Sequence, residues 1–122
     1  MNTPIDGMIK FIRTPEHIQL RRMLITEILI TQDSSPFILY KIPFELTKAP
    51  SKVWKEILLD NWYCITTQHQ KRYSGTVLWV FHNRVQINNV SNELFENELE
   101  SLLATAVKQT NNQMAMRSEL II

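Results

Sequence analysis

The segment from Val77 to Ile87 constrains what this chain can fold into more than any other. Val77-Leu78-Trp79-Val80-Phe81 and Arg84-Val85-Gln86-Ile87 are two strand-forming runs rich in β-branched and aromatic residues. The His82-Asn83 pair between them suffices for a tight hairpin loop, because Asn tolerates positive φ. With that loop, Phe81 pairs with Arg84, Val80 with Val85, Trp79 with Gln86 and Leu78 with Ile87. Opposite residues share a face of a sheet. The register therefore sorts Leu78, Val80, Val85 and Ile87 into a core set. Val77, Trp79, Phe81, Arg84 and Gln86 become a mixed aromatic and polar set on the other face.

A second hairpin is read upstream. After the turn-forming cluster Gln32-Asp33-Ser34-Ser35-Pro36, the run from Phe37 to Phe44 alternates Ile38, Tyr40, Ile42 and Phe44 with Phe37, Leu39, Lys41 and Pro43. Pro43 has no N–H to donate to a ladder, which places that end of the strand at an edge or beyond the last pairing. The preceding stretch, Arg22 to Thr31, has two readings. Its β-branched residues Ile25, Thr26, Ile28, Ile30 and Thr31 describe a strand. Thr14 as a cap, Pro15 in the first turn, and Leu20, Met23, Leu24 and Ile28 at helical spacing describe a helix over residues 15–31. We read the strand and keep the helix as its rival.

Two helices complete the pattern. Ser51 offers a hydroxyl to the free amides of a first turn, and Trp54, Ile57, Leu58 and Trp62 then recur on one face with Lys52, Lys55, Glu56 and Asp60 in water. Ser91 or Asn92 caps the last helix, whose stripe is Phe95, Leu99, Leu102, Leu103 and Ala106 and whose stop is Thr110-Asn111-Asn112. The order β-β-α-β-β-α predicts an α+β fold, with an antiparallel sheet of about four strands and two helices on one face. Its 122 residues fit one domain over 1–122 with a single core. Residues 1–13 read as an N-terminal arm or strand, and residues 113–122 as an apolar C-terminal tail.

Chemistry-bearing patterns are sparse. Cys64, His69, His82 and His17 have no paired-ligand spacing, so no metal is assigned. Cys64, with His69 five residues on, falls at the expected C-terminal end of a helix, whose polarity disfavours a thiolate. Glu93, Glu96, Glu98 and Glu100 are explained by the dipole of a helix start and by solubility. The expectation is a non-enzyme with no catalytic residue, cofactor or small-molecule substrate. A lone cysteine, no secretory leader pattern and no apolar run of about 20 residues point to a cytoplasmic protein that does not enter a membrane. With Lys+Arg 13 against Asp+Glu 12, the net charge of +1 excludes only partners that require a strongly basic whole-protein field.

Two function classes remain. The first is a small interaction or regulatory domain, a homodimer or the binder of another protein. Its contact is the face carrying Trp79, Phe81, Arg84 and Gln86, joined by Phe37 and Leu39, or else the apolar tail, which could also fold back over that face. The alternative is single-stranded nucleic acid stacked on Tyr73, Trp79 and Phe81 beside Lys71, Arg72 and Arg84, in a window that carries +3 with no acidic residue between Asp60 and Glu93. The hairpin register carries its own test by thermal unfolding. Val80→Asp should unfold the chain by burying an unpaired carboxylate, whereas Trp79→Ala should leave it folded; the reverse result would exchange the two faces.

Overall fold

The chain, described over residues 16–34, 37–68, 73 and 75–121 by a computed structural model, runs through eight regular elements. They are β1 (Leu20–Met23), β2 (Leu29–Ser34), β3 (Phe37–Leu46), α1 (Lys52–Gln68), β4 (Val77–Phe81), β5 (Arg84–Ser91), α2 (Asn92–Asn97) and α3 (Leu99–Ile121). The fold is α+β, with one open antiparallel sheet of five strands and three α-helices. β3 and β5 are central, β4 forms one edge, and β1 and β2 share the other, each pairing with part of β3.

The β4–β5 hairpin has the register that its alternation dictates, Phe81 opposite Arg84 through Val77 opposite Asn88. The loop's positive φ falls on His82, at 52°, and not on Asn83. Val85 and Ile87 are fully buried, Leu78 nearly so, and Val80 packs half-buried against the same core. Farther along, Asn88 and Asn89 together oppose Lys41, and Asn89 takes φ 60°. This bulge adds one residue, so Val90 returns to the core side opposite Tyr40.

The helix rival over residues 15–31 is overturned within the described part, and the single strand expected from Arg22 to Thr31 becomes two. A 3₁₀ turn at Ile25–Glu27 separates β1 from β2, which raises the strand count to five. Pro43 explains the break and corrects its own placement. It lies inside a central strand, opposite Gln86, and its carbonyl accepts the Leu24 N–H at 2.9 Å. In an antiparallel strand a residue's N and C=O point the same way, so the donor that Pro43 lacks would have faced the gap where the ladder is already interrupted.

All three helices cover one face of the sheet, where a single cluster of buried side chains joins them to β3, β4 and β5. Ser51 caps α1: its hydroxyl accepts the Trp54 N–H at 3.2 Å and donates to Glu16 at 2.5 Å, while the second Glu16 oxygen accepts the Ser51 N–H at 2.7 Å. A carboxylate distant in sequence thus completes a capping box. Trp54, Leu58, Trp62, Ile65 and Thr66 are buried. Ser91 caps α2 through the Leu94 N–H. The last helix is broken at Glu98 (φ −137°, ψ −10°), which shifts the stripe: Leu94 is fully buried and Phe95 only partly.

The expected stop at Thr110-Asn111-Asn112 is also overturned, since α3 continues to Ile121 and residues 113–121 are helical. Thr110 and Asn111 are buried, and their polar groups are used. The Thr110 hydroxyl donates to the Ala106 carbonyl at 2.7 Å and accepts from Asn61 at 3.0 Å. Asn111 Oδ1 accepts both the Ile18 N–H at 3.0 Å and Trp54 Nε1 at 2.9 Å, and its Nδ2 donates to the Ile18 carbonyl at 2.6 Å. Residues 1–13 lie outside the described part. Asn111→Ala removes the partner of three buried groups at about 1–3 kcal/mol each. It should lower the unfolding free energy by about 3 kcal/mol or more in denaturant titration, despite alanine's better helix propensity. Asn112→Ala, at the exposed neighbouring position, should change it by less than about 0.5 kcal/mol.

Candidate interaction face

Strand alternation sends every second residue away from the helices, and the helix-free face is the consequence. On β4 it presents Val77, Trp79 and Phe81, all exposed, with Trp79 at 56% of its full accessibility. On β5 it presents Arg84, Gln86 and Asn88, level with Phe81, Trp79 and Val77 respectively. On β3 it presents Phe37, 68% exposed, with Leu39, Lys41, Pro43 and Glu45, and on β2 Leu29 and Gln32. The six residues expected to form a contact surface, Trp79, Phe81, Arg84, Gln86, Phe37 and Leu39, therefore share one face.

They do not form one patch. Pro43 is level with Gln86 and hence with Trp79, and the distance from Pro43 along β3 to Phe37 is about 20 Å at strand rise. Between the two apolar groups run Lys41, Gln86 and Asn88, with Gln86 Nε2 donating to Asn88 Oδ1 at 3.1 Å. Near Phe81 the 3₁₀ turn brings Glu27 across the face, and both its oxygens accept from Arg84, at 2.5 and 3.3 Å. At the other edge, Arg22 reaches Glu45 at 3.1 Å. The face thus comprises an apolar triad of Val77, Trp79 and Phe81 on the β4 edge and a separate group of Phe37, Leu39 and Leu29, divided by a polar belt. Val77 and Leu29 belong to these groups and were legible from alternation. Leu29 was obscured only by the strand-or-helix ambiguity of its segment.

Of the residues of the nucleic-acid reading, Trp79, Phe81 and Arg84 share the helix-free face and Tyr73 does not. Tyr73 is buried at 3% exposure and donates its hydroxyl to Glu98 Oε2 at 2.5 Å, so it presents no ring to a base. Its neighbours Lys71 and Arg72 lie outside the described residues. Arg84 is engaged by Glu27. Trp79 and Phe81 alone keep the exposure that stacking needs.

The remaining reactive side chains that are described lie on separate segments. Cys64 lies within α1, exposed, and not at its end, because the helix continues through Gln68. His82 sits in the hairpin loop, His17 precedes β1, and His69 lies outside the described residues. Among the described residues no group of three His, Cys, Asp or Glu side chains is placed to hold a metal ion, and no helix is long and apolar enough to cross a membrane. Compared with protein-family models, curated proteins and solved structures, the chain finds no match. The Glu27–Arg84 pair is about half-exposed on both sides, where an ion pair contributes roughly 0–1 kcal/mol. Glu27→Gln should therefore leave the unfolding midpoint nearly unchanged in a thermal melt.

Proposed function

We propose that this chain is a non-catalytic interaction domain that self-associates through the helix-free face of its sheet. One observation carries the reading: Trp79, Phe81 and Val77 stand exposed side by side on one strand, while the other two tryptophans are core residues. Exposed aromatics beside a paired arginine are characteristic of surfaces that bury against protein, where a few large side chains supply most of the binding energy. The second group, Phe37 with Leu39, is the secondary contact. The C-terminal segment contributes less to the case, because Met114 already packs on the chain's own core.

The nucleic-acid alternative draws no comparable support, since Tyr73 is committed to the core and Arg84 to Glu27. Light scattering across a concentration series, under reducing conditions, tests the proposal. The wild-type chain should rise from monomer to dimer mass, and Trp79→Ala combined with Phe81→Ala should hold it at monomer mass with its unfolding transition retained. Monomer mass for the wild type at every concentration would end the self-association reading. Tryptophan quenching by mixed oligonucleotides, relieved by salt, would revive the alternative.

A further inference from the structure

We infer that the dimer forms by strand addition, with β4 pairing antiparallel to β4 of a second copy about a two-fold axis at Trp79. This rests on the self-association proposed above and adds the edge, the register and a flanking helix. The two edges of the sheet differ in kind. The β1/β2 edge is interrupted by the 3₁₀ turn, carries irregular pairing at Leu20/Arg22 and at Ile30/Gln32, and bears Arg21, Arg22 and Asp33. Those are the devices by which edges avoid pairing with other chains. β4 has none of them: Val77-Leu78-Trp79-Val80-Phe81 contains no charge, proline or glycine, and its register with β5 is regular throughout.

Hairpin geometry identifies the β4 backbone groups that no described strand takes up. With a two-residue loop, the flanking residues Phe81 and Arg84 form a hydrogen-bonded pair, and such pairs alternate along the ladder. Phe81, Trp79 and Val77 therefore direct their N–H and C=O groups to β5, and Leu78 and Val80 direct theirs outward. Outward groups two residues apart are what a two-fold pairing needs. Leu78 of one copy exchanges both bonds with Val80 of the other, and the reverse, giving four bonds about Trp79. The two Trp79 side chains then face each other across a non-hydrogen-bonded pair, where side chains approach most closely. Val77 of each copy lies opposite Phe81 of the other, so both apolar triads merge on the helix-free face.

The helix side of the same edge is also prepared. Lys52, Lys55, Glu56 and Leu59 of α1 line a cleft of about 230 Å³ with Leu78, Trp79 and Val80. Exposed Leu59 is followed one turn later by Tyr63, 69% exposed, so α1 has an apolar stripe beside the edge. A five-residue edge supplies only part of the roughly 800 Å² per partner of a stable interface; the paired α1 stripes extend it. Lys52 and Glu56 lie 4.0 Å apart on this rim, an exposed pair of the weak kind that a two-fold axis can exchange for the same pair between copies.

Amide hydrogen exchange followed by NMR on the full chain, in reductant and over a concentration series, tests the pairing. The Leu78 and Val80 amides should exchange freely in the monomer and become protected as dimer mass appears. Val80→Pro, which deletes two of the four bonds, and Tyr63→Ser, which lies off the helix-free face and outside the core, should each raise the dimer dissociation constant about tenfold. Dimer mass with both amides still exchanging would overturn the strand pairing while leaving the face reading in place. Monomer mass throughout would overturn both.

Discussion

One buried amide holds the layers of this fold together. Asn111, in the middle of α3, closes both backbone groups of Ile18 and the indole N–H of Trp54, and so ties the lead-in to β1, the first helix and the last helix at a single point. Buried polar groups left unpaired are costly, so these three elements have one satisfactory relative placement. With β1 latched to α3 and α1 on the same side, every helix lies on one face of the sheet. The other face is covered by described residues only around Pro43, where the 3₁₀ turn crosses it, and Trp79 beyond that turn stays exposed.

The bare face is managed unevenly. Toward the β1/β2 edge, Pro43, the 3₁₀ turn and the Arg22–Glu45 pair break up the surface and balance its charge, and the Glu27–Arg84 pair carries this as far as the strand beside Phe81. On β4 itself no charged residue occurs. A sheet with one interrupted, charged edge and one regular apolar edge has a direction in which it can grow, and the exposed aromatics lie along it. Fold and proposed function are connected through this asymmetry more than through any single side chain.

What could be read from the sequence was whatever short-range periodicity decides. The β4–β5 register, the Ser51 and Ser91 caps and the Trp54-Leu58-Trp62 stripe all depend on neighbours a few residues apart. The misses have long-range causes. Pro43 is tolerated in a central strand because a different segment happens to be interrupted beside it, and Asn111 continues a helix because its partners come from Ile18 and Trp54. Glu98, a good helix former, breaks one where Tyr73 binds its carboxylate, and the same bond removes Tyr73 from the aromatic surface to which its basic surroundings had assigned it. The candidate face was legible as a face. Its division into two groups was not, because the Glu27–Arg84 contact and the offset of Phe37 exist only once β3 is threaded between β2 and β5.

Tryptophan accessibility tests the central claim most directly, because the three tryptophans are so unequal: Trp54 is 0%, Trp62 2% and Trp79 56% exposed. Acrylamide quenching across a concentration series reports on Trp79 almost alone. If β4 meets β4 of another copy, each Trp79 packs beside its counterpart across the new pair, so the quenchable fraction should fall and the emission should shift to the blue as concentration rises, both reversing on dilution. A quenchable fraction that stays constant up to the solubility limit would mean that Trp79 remains in water, and would contradict self-association through this face.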